Sequence, residues 1–259
     1  MLKKGESGFT LIELLVVIAI IALLMGILMP TLNRARDMGK RVGCMNNMRQ
    51  VNVAYQMYVS ENEKLPPKRH PAGDFNNPNA PPNVLNLLVP FIKSSDQIMS
   101  PKIYNCPSLR PNPDPTYAPT EYSSTSFSAN TVPLGRKITS IPRPGTIIIL
   151  QEAWSLSHQL WNQPEPVDRS PAALEGRIPN TYHEWHMWAS KSVHPSFTSI
   201  EMREHLCNVH FEGGNLIFAD GHAEYRKYRD LWSSHFGLLP NERYEPTRAQ
   251  SGKTWDPAF

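Results

Sequence analysis

The sequence predicts an α+β protein in which one long N-terminal helix packs on a small antiparallel sheet with long proline-rich loops. Three observations support this fold class: an apolar run near the N-terminus, an amphipathic helical pattern directly after it, and short β-branched runs in the second half. The predicted organisation is a polar segment at residues 1–8, a transmembrane segment at 9–29, an amphipathic segment at 30–60 and a head at 61–259.

The apolar run covers residues 9–29 and is interrupted only by Thr10, Glu13 and Gly26. Roughly twenty helical residues at 1.5 Å each make about 30 Å, which is enough to cross a bilayer. A soluble core helix is disfavoured because the run is apolar on all faces. A cleaved secretory signal is disfavoured because its apolar core would be shorter and would end at a small-residue cleavage site.

An amphipathic helical pattern follows Pro30, because apolar residues recur there at steps of three and four. These residues are Leu32, Ala35, Met38, Val42, Met45, Met48, Val51, Tyr55 and Tyr58. Since the pattern resumes directly after Pro30, this proline is expected to kink the helix rather than to end it. We therefore predict one helix over residues 9–60, with its apolar stripe packed on the head.

The head contains two patterns that are typical of β-strands. Residues 145–152 are a bounded β-branched run, and residues 215–225 have the order strand, Asp-Gly turn, strand, for which a type I′ turn is predicted. Prolines cluster at residues 66–82 and 107–119, which predicts loops in both places. Residues 66–84 and about 153–208 fit neither period, and we expect them to loop out from the sheet.

Composition excludes several classes of function. The net charge of +3 comes from scattered basic residues and does not indicate a nucleic-acid partner. The sequence has no glycine-rich phosphate loop, no Gly-x-Ser-x-Gly motif and no recognisable pair of nucleophile and base. We therefore predict no enzymatic activity and no required cofactor.

The N-terminal motif consists of Gly8, the aromatic Phe9 and, four residues later, Glu13 within the apolar run. Together with Lys3 and Lys4, it closely resembles the signal of type IV pilins and type II secretion pseudopilins. The resemblance implies that residues 1–8 are a leader, that prepilin peptidase cuts after Gly8, and that it methylates the new amino group of Phe9. It also implies a single-pass anchor in the lipid of the bacterial inner membrane, with the head on the periplasmic or extracytoplasmic side.

Glu13 needs an explanation, because an acidic residue at the centre of a bilayer costs on the order of 2.5–3.5 kcal/mol. In the family its partner is thought to be the amine of a neighbouring subunit, which here would be that of Phe9. This implies assembly with itself and with other pseudopilins into a type II secretion or pilus-like fibre. The alternative is that the Glu13 side chain reaches the membrane interface, since it lies about 6 Å from the N-terminus that cleavage would create at Phe9.

The charges that flank the apolar run favour the opposite orientation. The basic residues after the run are Arg34, Arg36, Lys40 and Arg41, whereas Lys3 and Lys4 precede it. The positive-inside rule alone would therefore leave the head in the cytoplasm. The cleavage motif favours an exported head.

The C-terminal half contains a histidine, nine residues and Asp-Gly, at His210, Asp220 and Gly221. This spacing resembles the C-terminal signature of a pilin-like subfamily, for which residues 45–50, 104–108 and 143–148 look like further landmarks. Chemically, His210, Asp220 and His222 could hold a divalent metal, with Glu152 as a fourth ligand, and that mixture suits zinc or another transition ion. Alternatively, Asp220 and Gly221 form the turn and His210 braces the hairpin.

Three cysteines, Cys44, Cys106 and Cys207, occur without a Cys-x-x-Cys pair. Cys44 and Cys106 both fall within segments that resemble the subfamily. A disulfide between them is therefore expected for a head in an oxidising compartment. The alternative is two buried free thiols.

Residues 182–188 contain a group of histidines and tryptophans. The spacing of His183 and His186 is one residue shorter than the metalloprotease motif requires. These residues could bind a metal, Trp185 and Trp188 could form a platform for sugar, or the group could simply pack. With Trp154 and Trp161, an exposed tryptophan row would make the head a recognition domain for a polysaccharide, a metal or a protein. A histidine-dependent hydrolase would instead need several histidines to converge with a carboxylate on a cleft.

Overall fold

The computed structural model describes residues 10–67, 84–92, 102–111, 115, 118, 124–157, 161–163, 165–166, 181–183, 187–188, 204–205, 209–210, 213–239, 241 and 253–255. The chain divides into two compact units, Met1–Gly39 and Lys40–Phe259. The predicted α+β class is confirmed, since one long N-terminal helix is followed by a small, mainly antiparallel sheet.

Helix α1 spans Leu11–Asn62 and continues through Pro30 as predicted. Within the first unit, all its side chains from residue 11 to 36 are exposed. It is the one helix in the described part of the chain that is long and apolar enough to cross a membrane.

In the second unit, α1 buries a stripe at helical spacing: Cys44, Met48, Val51, Ala54, Tyr55 and Val59. Cys44, Ala54 and Val59 were absent from the predicted stripe, whereas the predicted Val42 is exposed. The difference arises because the head covers only one side of the helix, and large apolar residues also occur on the other side.

The remaining elements are one short helix and eleven strands among the described residues. They are α2 Val84–Leu88, β1 Thr125–Asn130, β2 Ile148–Ser157, β3 Trp161–Gln163, β4 Glu165–Pro166, β5 Thr181–His183, β6 Met187–Trp188, β7 Glu204–His205, β8 Gly213–Phe218, β9 Ala223–Lys227, β10 Leu238–Leu239 and β11 Lys253–Trp255. Residues 153–208 differ from the predicted looped insertion, because their described part includes the end of β2 and strands β3–β7. These short pairings give no period that can be read in the sequence.

The main sheet has the order β3-β1-β2-β8-β9. The pairs β1/β2, β2/β8 and β8/β9 are antiparallel, and β3 pairs with β1 in parallel. Two smaller sheets have the orders β10-β11-β5-β4 and β6-β7. The predicted antiparallel sheet is thus confirmed, and its parallel edge strand was not foreseen.

Both faces of the main sheet are buried along β1, β8 and residues 148–153 of β2, whereas β9 is half-exposed. Alternate residues such as Ile149 and Ile217 join the α1 stripe in the larger core. Their neighbours Ile148, Leu216 and Phe218 form a second core with the C-terminal segment that includes Phe236 and Leu238. This alternation follows from the two-residue period of a strand, and it fixes which side chains of β2 and β8 face α1.

The β8–β9 hairpin has a three-residue loop instead of the predicted type I′ turn. The backbone N of Gly221 donates to the Phe218 carbonyl, and the N of Phe218 donates to the His222 carbonyl, each at 3.0 Å. Gly221 has φ 90°, but Asp220 does not have positive φ, which a type I′ turn centred on Asp220 and Gly221 would require at both residues. Gly221 is therefore the one residue of this three-residue loop with a positive φ.

Candidate functional site

The N-terminus of α1 is closed by a capping box between Thr10 and Glu13. Both the backbone N and the hydroxyl of Thr10 donate to Glu13 Oε2 at 2.8 Å, and the Glu13 backbone N donates to Thr10 Oγ1 at 3.3 Å. The sequence pattern of this motif, Thr-x-x-Glu before an apolar run, is local and could have predicted it. Gly8 and Phe9 lie outside the described residues.

A second apolar surface runs along α1 on the side away from the sheet. It consists of Val42, Val53 and Met57, which are 65, 60 and 47% exposed. At about 100° per residue these three positions fall within one sector of roughly 60°. We call this set the outer α1 stripe. It lies opposite the buried stripe centred on Met48 and Tyr55.

Cys44 of α1 and Cys106 form a disulfide, with an S–S distance of 2.02 Å and a Cα–Cα distance of 4.8 Å. Both cysteines are buried. Cys106 follows a 3-10 turn at Lys102–Tyr104, and its backbone N donates to Ser126 Oγ of β1 at 2.7 Å. The disulfide therefore connects the second unit's part of α1 to a segment held by the central sheet.

His210 and Glu152 lie directly beside this disulfide, and both are fully buried. His210 Nε2 is 3.5 Å from Cys106 Sγ and 3.5 Å from Glu152 Oε1, and its Nδ1 is 3.5 Å from Ser108 Oγ. The ligand atoms of Cys44, Cys106, Glu152 and His210 all lie within 4.8 Å of one another.

Neighbouring residues hold Glu152 and His210 in place. The backbone N of Asn215 donates to Glu152 Oε2 at 2.7 Å, and Asn215 Nδ2 donates to Oε1 at 3.1 Å. The Tyr225 hydroxyl donates to the His210 carbonyl at 2.9 Å. No local sequence pattern points to Asn215 or Tyr225, because their roles depend on strand register across the sheet.

The arrangement does not have the geometry of a cysteine–histidine–carboxylate triad. In such a triad the nucleophile and the carboxylate contact opposite nitrogens of the imidazole. Here Cys106 and Glu152 both lie beside Nε2 of His210. The cluster is also closed to a substrate, because all its side chains are buried.

The predicted metal set of His210, Asp220 and His222 is divided between two places. Asp220 Oδ1 lies 2.5 Å from His222 Nδ1 and accepts a hydrogen bond from the His222 backbone N at 3.0 Å. Burial raises the pKa of Asp220, but the bonds from His222 outweigh it and hold that pKa below its ordinary value. His210 has Glu152 and the disulfide as its neighbours instead.

Asp220 and Gly221 place the hairpin tip against α1 and against residues 143–147. Asn52 Nδ2 of α1 donates to the Gly221 carbonyl, and a Cβ on Gly221 would lie 2.9 Å from Gln56 Nε2. The backbone N of Asp220 donates to the Pro144 carbonyl at 3.3 Å. Thus the histidine and the Asp-Gly pair lie at the two ends of β8, which spans six of the nine residues between them.

An open groove of about 560 Å³ lies beside β9. It is lined by Glu224, Tyr225, Arg226, Lys227, Asp230, Trp232 and His235. Burial lowers the pKa of His235 to about 4, and the positive charge of Arg226 acts in the same direction. The Nδ1 of this ring accepts a hydrogen bond from the Trp232 backbone N at 3.1 Å, which requires the neutral ring.

The predicted aromatic and histidine platform falls largely outside the described residues. His183, Trp188 and His205 are placed only as positions in strands β5, β6 and β7, while Trp185 and His186 are not described. The side chains of Trp154 and Trp161 are not described either. The proposed recognition surface stays a prediction.

Comparison with known proteins identifies the N-terminal segment. Residues 3–29 match the family model of the prokaryotic N-terminal methylation motif. No curated protein and no solved structure matches the chain at a significant level. The match includes Gly8, Phe9 and Glu13 and ends before the head.

Proposed function

We propose that this chain, which has the N-terminus of a prepilin-type pilin or pseudopilin precursor, is a structural subunit of a pilus-like or type II secretion fibre. The observation on which the proposal depends is the methylation motif at residues 3–29, together with the helix that begins inside it. In this proposal prepilin peptidase cuts after Gly8, and the mature chain is a single-pass membrane protein with an extracytoplasmic head. No enzymatic step is part of the function.

Exposure along α1 supports the anchoring role. The side chains from residue 11 to 36 are exposed, although residues 11–29 are almost all apolar. Transferring such a surface from water to lipid is favourable by about 25 cal/mol per Å². A bilayer, and after assembly the helices of other subunits, would cover it.

The outer α1 stripe supports assembly through helix packing beyond the membrane. Val42, Val53 and Met57 are large apolar residues that remain exposed while the opposite side of α1 is buried. In the proposed fibre this stripe packs against α1 of neighbouring subunits. That role explains why Val42 fits the helical period without contributing to the core.

Glu13 has two successive partners in this proposal. Within the chain it caps α1 through Oε2, which accepts both hydrogen bonds from Thr10. After cleavage, the methylated amine of Phe9 in a neighbouring subunit provides a positive charge for the same carboxylate. The capping bonds orient the carboxylate before that partner arrives.

Mass spectrometry of the mature N-terminus, on protein isolated from membranes, tests the processing step. We expect a chain that begins with methylated Phe9. Gly8→Val should leave residues 1–8 attached, whereas the control Gly5→Val should be cut normally because it alters a glycine away from the junction. An intact Met1 in the unmodified protein, or a cut beyond Pro30, would overturn the proposal.

Assembly is tested by Glu13→Ala, with Glu61→Ala as a matched control at an exposed position of the same helix. We expect Glu13→Ala to insert into the membrane and to be processed, but to give few cross-linked oligomers. Glu61→Ala should assemble normally. If both variants assemble equally well, Glu13 does not set the register between subunits.

The alternative function, a pilin-anchored module for binding a polysaccharide, a metal or a protein, depends on Trp185 and Trp188. Their side chains lie outside the described residues, so that alternative rests on the sequence alone. Likewise, assignment of the His210 to Gly221 spacing to a particular pilin-like subfamily stays a prediction.

A further inference from the structure

We propose that Cys44, Cys106, His210 and Glu152 form a tetrahedral zinc site when the disulfide is reduced. This inference goes beyond the fibre function, and it concerns the buried cluster rather than the N-terminal motif. The set of two thiolates, one imidazole and one carboxylate is of the kind that zinc takes in proteins. All four side chains are buried, as expected for a closed structural site.

The distances in the cluster already match part of a zinc tetrahedron. With Zn–S near 2.3 Å and Zn–N and Zn–O near 2.1 Å, a tetrahedral site has a sulfur–nitrogen edge of about 3.6 Å and a nitrogen–oxygen edge of about 3.4 Å. The corresponding distances from His210 Nε2 to Cys106 Sγ and to Glu152 Oε1 are both 3.5 Å. The two sulfurs must separate from bonding distance to about 3.8 Å, and all four ligand atoms already lie within 4.8 Å of one another.

The surrounding residues are suited to orient these ligands. Metal-binding histidines usually donate their second N–H to an oxygen, and Ser108 Oγ lies 3.5 Å from Nδ1 of His210. Metal-binding carboxylates are usually hydrogen-bonded as well, and Asn215 donates to both oxygens of Glu152. These contacts leave Nε2 and Oε1 facing the sulfurs.

The chemistry requires a reductant, for which a phosphine serves in the test. The phosphine takes the oxygen atom of one water molecule and supplies two electrons, which break the S–S bond and leave two thiols. Zinc then replaces the two thiol protons and binds to the neutral imidazole and the carboxylate. The disulfide and the zinc ion would thus be two ways of fastening α1 to the same place in the head.

The test uses the full-length chain in detergent, reduced with phosphine, unfolded in urea and refolded with Co²⁺ as a spectroscopic substitute for Zn²⁺. Refolding is included because the ligands are buried and the ion must enter before the site closes. We expect one Co²⁺ per chain, with a thiolate charge-transfer band and the intense visible bands of tetrahedral cobalt. Zn²⁺ should displace it, and the oxidised chain should bind none.

Four variants test the ligand assignment. Cys44→Ala combined with Cys106→Ala should abolish the spectrum, while Cys207→Ser should leave it intact. Ser108→Ala keeps all four ligands and should weaken cobalt binding about 10- to 100-fold by removing the contact to Nδ1. His222→Ala should have no effect, because His222 pairs with Asp220 at the hairpin tip.

Four results would overturn the proposal: no Co²⁺ in the refolded reduced chain, an octahedral spectrum without a thiolate band, loss of the spectrum in Cys207→Ser, or its loss in His222→Ala. Near-native circular dichroism of the reduced chain is the check that refolding occurred. If the reduced chain refolds only with metal, the loss of structure on chelation is itself the supporting result. The N-terminal processing experiment is independent of all these outcomes.

Discussion

Removal of the Cys44–Cys106 disulfide should destabilise the head by about 4 kcal/mol. The two cysteines are separated by 62 positions, and the chain-entropy model for a loop of this length gives about 4 kcal/mol at 25 °C. The expected change is large because typical domains are stable by only about 5–15 kcal/mol.

The measurement is urea unfolding of the full-length chain in detergent, followed by tryptophan fluorescence, with a chelator present to exclude metal. The oxidised chain is compared with the phosphine-reduced chain and with Cys44→Ala combined with Cys106→Ala. Reduction breaks the S–S bond but leaves both sulfurs in the core, whereas the double alanine variant removes them. If both samples lose the same stability, the loss comes from the missing cross-link and not from the packing of the sulfur atoms. Cys207→Ser controls for removal of a thiol.

A loss below about 1 kcal/mol in both samples would refute the reasoning, since native disulfides in small domains typically contribute 2–5 kcal/mol. It would mean that Met48, Val51 and Tyr55 hold α1 to the sheet without help from the covalent bond. A marked fall in the dependence of the free energy on urea concentration would also refute it, because it would indicate a more expanded native state, whereas a rise is expected when the unfolded chain loses its cross-link.

Three further predictions concern single side chains. Thr10→Val should lower the stability of the first turn of α1 by about 1 kcal/mol, because it removes the hydroxyl from the capping box. Amide hydrogen exchange in that turn should become about fivefold faster. Gly221→Ala should lower stability to urea by about 1–2 kcal/mol, because φ is 90° and the Gln56 side chain of α1 must shift to make room for a Cβ, whereas Gly39→Ala has open space and should cost nothing. Because the pKa of His235 is about 4 in the folded chain and about 6.5 unfolded, its contribution is present above pH 6.5 and is lost as the pH falls towards 4. Between pH 7 and 5 the unmodified chain should lose about 1 kcal/mol more than His235→Asn, after allowance for solvent screening, and equal losses would show that Trp232 does not hold a neutral ring.

The sequence was sufficient for the long helix and for the main antiparallel strands. Helical periodicity continued after Pro30, and β-branched runs identified β2 and the β8–β9 hairpin. These features are local, and their patterns can be read within a window of ten to twenty residues. The Thr10–Glu13 capping box is equally local, but the sequence prediction considered Glu13 only as an acidic residue in a membrane segment.

The buried cluster could not be predicted, because its members come from four distant parts of the chain. The sequence suggested that His210 and Glu152 could share a site, but it grouped them with Asp220 and His222. Strand β8 separates His210 from Asp220, so the two residues fix opposite ends of one strand. Only the pairing of β8 with β2 brings Glu152 to the histidine, and that register depends on contacts across the whole sheet.

The position of the disulfide has a mechanical consequence. Any subunit drawn out of a membrane by its head, or held in a fibre by its anchor, bears tension along α1. Cys44 is the first buried residue of α1 on the head side, so a pulling force on the anchor meets a covalent bond before it reaches Met48 and the residues that follow. The disulfide thereby prevents the apolar contacts of α1 from being lost successively, one helical turn after another. The head should therefore withstand forces that would detach a helix held by packing alone.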